Sequence, residues 1–441
     1  MTALFPSVAL PLAAFDLHID GWTIAVGAMC AVSCTLVGVF LVLRRMSMMG
    51  DAISHAILPG LAAAFLISGE RSSLTMFIGA AAAGVLTALL VEWVRGAGKV
   101  DEGASIGVVF TALFAIGLVM IVQAADAVDL DPGCVLYGLL EFTPLSTVPL
   151  LGIDVPRAAL PLGIMLVLNT AFVLVFYKEL KLTSFDPALA DTLGFRSGLM
   201  HYALMTLVAA TAVASFEAVG NILVVAVLIV PAAAASMLTD RLPRLIAIAV
   251  LVAIGAAALG HLSAMWIPAA FGYKSVSSAA MMAVATGVFF AAAVLFGPRR
   301  GLVSKLYHRT ALSLRIARED VLTRLYRGDE QSREIPMEPM GPLTSRLVYG
   351  RLRRDGLLAT DELALTKNGR SQAADLIRSH RLWETYLEQN ADLPPGHVHY
   401  SAERLEHAID AELQAELDAE VGTPAVDPHG RKIPREQGAS S

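Results

Sequence analysis

The sequence predicts an all-α polytopic membrane protein, with about eight or nine transmembrane helices, that carries a small α+β cytoplasmic domain. Two observations predict it. Of 441 residues, 56% are hydrophobic and only 16% are charged, where a soluble domain holds about 25%. The deficit is also uneven. Residues 1–300 carry 14 Lys/Arg and 17 Asp/Glu, and residues 301–441 carry the other 19 and 22. A membrane part followed by a soluble part fits this division; a single soluble enzyme, a secreted disulfide scaffold and a disordered chain do not. The net charge of −6 leaves no global basic field for nucleic acid. Three cysteines cannot build a disulfide framework, and Cys30 and Cys34 read as packed helix thiols. No Lys or Arg precedes Arg44, so the start lacks the charged region of a signal peptide.

Apolar runs long enough to span recur at about 22–43, 50–68, 74–94, 104–124, 158–177, 200–217, 220–238, 243–265 and 277–297. This gives nine crossings, or eight if 200–238 is one long kinked helix. The stretch 134–152 is apolar but interrupted by Gly138, Pro144 and Pro149, which suits an external loop or a re-entrant segment. Nine crossings with the N-terminus outside place Arg44, Arg45, Arg95, Lys99, Lys178, Lys181, Arg196, Arg241, Arg244, Arg299 and Arg300 within. Only Arg71, Arg157 and Lys274 then lie outside. The bias follows the positive-inside rule and leaves the C-terminal part in the cytoplasm. An eight-span topology breaks it.

After Arg300 the pattern changes. Residues 302–327 read as an amphipathic helix and 328–342 as a polar, Pro-containing linker. A small soluble unit follows, with helices near 343–354, 367–390 and 399–420 and a short strand pair around 357–366. The expected divisions are therefore 1–300, 301–342, 343–430 and a disordered tail over 431–441.

Polar groups inside the apolar runs are the candidate working residues. Asp51 and His55, in MSMMGDAISHAILPG (46–60), lie four apart and share one helix face. A carboxylate within a membrane costs about 2.5–3.5 kcal/mol, so it marks either an ion path or a buried pair. One hard oxygen and one imidazole nitrogen suit Mn²⁺, Fe²⁺ or Zn²⁺; a helix-start Asp beside an interfacial His is the plainer reading. Glu217 and Asn221 are again i,i+4, and Glu217 is a candidate by the same argument. His201 and His261, each alone, read as structural. In KLTSFDPALADTLGFRSG (181–198), Asp186 is an N-cap and Pro187 opens a short helix that stops at Gly194. A brief helix of this kind on the inner face suits a partner protein's grip.

MSMMGDAISHAILPG, FDPALADTLGF and FEAVGNILVVAVLIVPAAAA, in this order and spacing, resemble the permease subunit of manganese/zinc/iron ABC transporters over about residues 20–300. The resemblance implies a permease homodimer in the plasma (inner) membrane, two cytoplasmic ABC ATPases and an extracytoplasmic metal-binding protein. It also implies that Asp51 and His55 belong to the metal path. Residues 184–195, including Phe185, Asp186, Pro187, Leu189, Leu193 and Gly194, become the ATPase-coupling segment. No G-x-x-x-x-G-K-[ST] occurs, so no nucleotide site is expected in this chain. The divalent metal is the substrate.

The tail carries its own constellation. Glu403, Glu406 and His407 stand at i, i+3 and i+4, His399 lies one turn before them, and His380 and Glu384 are i,i+4 on another helix. Imidazoles and carboxylates from two helices suit a divalent metal; a solvated acidic face is the plainer alternative. LTKNG, SHRLWETYL and AERLEHAID resemble the iron-dependent, diphtheria-toxin-repressor-like metalloregulators, whose fold is a winged helix followed by a dimerisation domain. By that resemblance His380, Glu403, Glu406 and His407 are ligands, and Glu384 and His399 belong to a second site. Asp320 takes a ligand-bearing position, and Thr323 replaces a carboxylate of the manganese-type members. The region between Asp320 and Leu365 is about a dozen residues short of a full helix-turn-helix. The would-be recognition helix SRLVYGRLRRDG keeps Arg346, Arg351, Arg353 and Arg354, yet the missing helix argues against DNA as a partner. The resulting expectation is a metal-importing ABC permease with a metal-sensing or dimerising tail. Its rival is a membrane-tethered, metal-responsive transcription regulator.

Overall fold

The computed structural model describes residues 16–68, 73–125, 140–150, 152–272, 276–298, 300–331, 340–359, 362–391, 416–417, 419–422 and 424–434. They fall into two units, 1–304 and 305–441.

In the first unit, helix α1 (Ile19–Leu43) is the central element. Cys30, Cys34, Val37, Val39, Phe40 and Leu41 along it are fully buried. The chain then turns through Arg45, whose φ is 62°, into α2 (Ser47–Ala56) and α3 (Leu58–Ser68). Pro59 has no N–H for the His55 carbonyl and its ring crowds that turn, so the apolar run breaks at Ile57 instead of continuing straight. Helix α4 (Ser73–Gly98) crosses α3 where Gly60 meets Gly79. A Cβ on either glycine would strike the other's carbonyl oxygen, the close approach that small residues permit between membrane helices. Helix α5 (Glu102–Ala125) completes this group.

The expected loop or re-entrant stretch is described from residue 140 onward. It forms a 3-10 turn (Leu140–Leu145) and an antiparallel hairpin, β1 (Thr147–Leu150) with β2 (Ile153–Pro156), in which Val148 faces Val155. Helices α6 (Ala159–Val175) and α7 (Tyr177–Phe185) follow, bent by 74° at their junction. The short α8 (Pro187–Thr192) leads to α9 (Ser197–Leu238). Between the two sequence alternatives for 200–238, the structure shows two helical stretches meeting at Gly220, whose φ of 70° and ψ of 169° are not helical. Helices α10 (Leu242–Ala270) and α11 (Ser278–Phe296) close the unit. Among the described residues seven helices are long and apolar enough to cross a membrane, or eight if the bent α6–α7 pair is one span; Leu223–Leu238 is a shorter apolar helix.

The seam between α1 and the last part of α9 has a specific chemical basis. Pro231 has no N–H to give to the Val227 carbonyl. That carbonyl accepts from Thr35 Oγ1 of α1 at 2.9 Å. One residue on, the Leu228 carbonyl lies so close to Gly38 that a Cβ there would collide with it, and the Leu228 side chain lies against Gly50.

The second unit is built on α12 (Leu302–Gln331), α13 (Pro342–Arg354) and α14 (Lys367–Ala391). Val321, Leu322, Val348, Leu352, Leu357, Leu358 and Ala373 form one core. The expected strand pair is reduced to a single bridge, Leu358 with Leu365, entered through Gly356 at φ 68°. A second cluster joins Leu382, Leu417, Val421 and Ile433. Residues 431–434, expected in a disordered tail, are instead ordered. Lys432 bridges Val426. The Arg378 guanidinium donates to the Pro434 carbonyl at 2.7 Å, and Arg381 donates to that of Lys432. Burial of Ile433 and the demand of these cations for acceptors fix the segment; 435–441 lie outside the described residues.

Candidate functional site

On α2 the apolar face is Met49, Ala52, Ile53 and Ala56, all buried. Burying that face turns Met48, Asp51 and His55 the other way. His55 Nε2 stands 3.6 Å from Asp51 Oδ1, with the two side chains 28% and 45% exposed. The imidazole is walled by α5: Phe110 at 5.4 Å between ring centroids and Phe114 at 5.7 Å, edge-on. Apolar walls hold the ring in place while its carboxylate partner remains open to solvent or an ion. One oxygen and one nitrogen donor suit a transition metal but supply only part of a four- to six-member shell. Glu217 lies on α9 three residues before Gly220, and its side chain is outside the described residues.

The α8 segment is built as its sequence implies. Asp186 Oδ1 caps the helix by accepting from the Leu189 N–H at 2.9 Å, Pro187 opens it, and Gly194 ends it at φ 87°. Arg44, just after α1, holds the preceding α7 through Ser184 Oγ at 3.1 Å and Thr183 Oγ1 at 2.9 Å. Asp191 accepts from the Ser197 N–H at 3.0 Å and its hydroxyl at 2.8 Å, which fixes the exit into α9. Those bonds hold the Asp191 carboxyl below the usual aspartate range. Ala190 is buried. Phe185, Leu189 and Leu193, four apart along the chain, are 62%, 45% and 61% exposed. Three large apolar side chains displayed on a capped, pinned turn form a surface that water alone does not favour.

One polar network joins residues that no sequence pattern links. His261 of α10 is bracketed by Ser278 Oγ at 3.0 Å and Asp20 Oδ1 at 3.1 Å. The Ser278 N–H in turn donates to the Glu141 carboxylate. The network ties α1, α10, α11 and the 3-10 turn together, and both ring nitrogens of His261 are engaged.

In the second unit His380 Nε2 and Glu384 Oε1 are 3.1 Å apart and almost fully buried. Asp320 lies on α12, where its carbonyl accepts from Thr323 Oγ1 at 3.2 Å. His399, Glu403, Glu406 and His407 lie outside the described residues. Among the described residues no three His, Cys, Asp or Glu side chains gather as a metal cluster. The described geometry thus joins His380 to Glu384 and Asp51 to His55. Beside the first pair, Arg381 makes a bidentate ion pair with Glu330 at 3.2 and 2.7 Å and approaches the buried Asp427 at 3.6 Å.

Residues 19–296 match the family described as the ABC 3 transport family. Residues 366–435 match the iron dependent repressor, metal binding and dimerisation domain. The chain is similar to the manganese transport system membrane protein MntD of Bacillus subtilis, 45% identical over 287 residues, spanning 65% of this chain and 95% of that protein. It is also similar to the zinc transport system membrane protein TroD of Treponema pallidum, 37% identical over 300 residues, spanning 68% of this chain and 79% of that protein. Among solved structures, PsaBC from Streptococcus pneumoniae in complex with Fab matches with a TM-score of 0.52 and 29% identity. That match covers 66% of this chain and 95% of the other.

Proposed function

The chain belongs to the ABC 3 transport family, and from that premise we propose that it passes a divalent transition metal, manganese or zinc, along the Asp51–His55 face of α2. It is a multi-span permease subunit rather than a catalyst. The observation that carries the metal assignment is the Asp51–His55 pair itself, half open and backed by Phe110 and Phe114. A pair of donors is an incomplete shell. A permease homodimer would bring a second Asp51–His55 pair to the ion, and Glu217 would add a carboxylate from α9. Manganese and zinc are the metals in the names of the relatives MntD and TroD.

In this reading ATP is hydrolysed on a separate cytoplasmic ABC ATPase, whose groove receives Phe185, Leu189 and Leu193 around α8. An extracytoplasmic binding protein delivers the ion. The N-terminus lies outside and the C-terminal unit in the cytoplasm of a cell whose plasma (inner) membrane holds the permease. There the C-terminal unit senses imported metal. His380 and Glu384 offer the nitrogen and oxygen chemistry for Mn²⁺, Fe²⁺ or Zn²⁺, with His399, Glu403, Glu406, His407 and Asp320 as the remaining donors. Such feedback acts only through a difference in metal affinity between two states of the permease.

The test is uptake by proteoliposomes containing the permease, its ATPase and the binding protein. Mn²⁺ or Zn²⁺ accumulation that needs ATP and is lost in Asp51→Asn supports the reading. Full uptake in both Asp51→Asn and His55→Ala refutes the site. A chain shortened by residues 329–441 should still transport but respond less to metal on the cytoplasmic side.

A further inference from the structure

We propose that the outer face of α13 is a docking surface for anionic lipid headgroups, so that the C-terminal unit rests on the membrane that its own chain crosses. The proposal rests on the permease reading only for placing this unit on the membrane's inner side.

The observation is a helix with one face buried and the other face unusual. Val348 and Leu352 point into the core and are essentially inaccessible. At 100° per residue, Leu343, Leu347, Gly350 and Arg354 lie on the opposite face. Arg346 and Arg353 flank it on one side and Arg351 on the other. Leu343 is 76% exposed and Leu347 58%. All four arginines are exposed. None of them is ion-paired among the described residues; the nearby Asp355 carboxylate is taken by Arg318 at 2.9 Å. No acidic residue occurs between Pro342 and Arg354.

Leucines flanked by guanidinium groups match a lipid interface. The apolar side chains enter the boundary between headgroups and acyl chains while the cations meet phosphate. Basic residues beside a membrane are drawn to the anionic inner leaflet within about a Debye length. The covalent link to the spans supplies a high local concentration of lipid, so weak individual contacts suffice. Duplex DNA fits this face less well. A reading helix needs a supporting helix across the phosphate backbone, and the sequence between Asp320 and Leu365 is about a dozen residues short of a full helix-turn-helix. Two protruding leucines also offer nothing to phosphates.

The experiment uses the full chain with Cys134→Ser and Gly350→Cys. A Cβ at Gly350 meets nothing within 4 Å, and the remaining Cys30 and Cys34 are buried. A fluorescent thiol probe at residue 350 is read in nanodiscs of phosphatidylcholine, alone or with about one-third phosphatidylglycerol, carrying nitroxide quenchers at headgroup depth. The expected result is quenching in the anionic discs that falls with salt. Replacing Arg346, Arg351 and Arg354 by Gln should lower the docked-to-free ratio by about a hundredfold. Leu343→Ser with Leu347→Ser should lower it too, without abolishing its salt dependence. Equal quenching in neutral and anionic discs, or none in either, overturns the proposal. So does a probe that answers to added duplex DNA and not to lipid. Metal uptake is measured on the same labelled protein. Intact uptake without quenching removes the docking surface alone, and lost uptake with quenching retained removes the permease reading alone.

Discussion

His55 Nε2 lies 3.6 Å from Asp51 Oδ1, one helical turn away on α2, while Phe110 and Phe114 press on the imidazole from α5. In the proposed metal path the carboxylate would offer the hard oxygen and the imidazole the borderline nitrogen. Asp51→Asn removes the charge at nearly constant volume and should depress Mn²⁺ or Zn²⁺ uptake by about a hundredfold or more. Phe110→Ala leaves both donors but frees the ring; a loss of about 10- to 100-fold is expected, as for residues that orient metal ligands. Initial rates of metal entry in proteoliposomes check both values, with membrane insertion as the control.

The display of Leu189 and Leu193 depends on the Asp186 cap. Leu189→Glu with Leu193→Glu should abolish co-purification of the ATPase while leaving the permease folded. Asp186→Ala removes the bond to the Leu189 N–H and costs the short helix about 1 kcal/mol. Weakened, not abolished, ATPase stimulation is the expected outcome in that variant.

The Asp191 carboxyl is held below the usual aspartate range by the Ser197 N–H and hydroxyl. A lowered native value means the ionised form is the favoured one. Its stabilising effect is complete at neutral pH and is lost only as pH falls through that lowered value. Amide exchange around Ser197, corrected for intrinsic rates, should therefore stay protected from neutral pH into mild acid and open below the aspartate range. Ser197→Ala should weaken the protection and move the opening to higher pH.

Arg381 is buried, and so is Asp427 beside it. Arg381→Met should cost about 3–5 kcal/mol by leaving Asp427 without its cation. Limited proteolysis of the full chain should then cut within 424–434, while cuts in the membrane unit stay unchanged. Asp427→Asn in the same background should recover part of the loss.

Legibility in the sequence tracked distance along the chain. Asp51 with His55, and Asp186 with Pro187 and Gly194, are local patterns, and helix geometry turns spacing into contact directly. The Asp20–His261 pair joins opposite ends of the membrane unit, and no periodicity links two such residues. The hairpin was obscured by Pro149 and Pro156, residues that argue against strands; both occur in a two-stranded ribbon, where every strand is an edge. The run 200–238 is apolar on both sides of Gly220, so only the backbone angle at that glycine decided how it breaks. Order at 431–434 depends on Arg378 and Arg381, which polarity of the tail alone does not reveal.

The meeting of Gly38 with Leu228 constrains how the transporter can move. Two backbones in van der Waals contact, with Thr35 filling the acceptor that Pro231 leaves vacant, behave like meshed teeth. A sliding step along that seam would drive a carbonyl into the opposite helix, and interiors packed at this density do not deform gradually. Helix α1 and the stretch from Leu223 to Leu238 therefore travel as one gear. Relative movement within the membrane unit then falls to its breaks: Ile57 between α2 and α3, the bend between α6 and α7, and Gly220. Asp51 and His55 sit immediately before the first of these breaks.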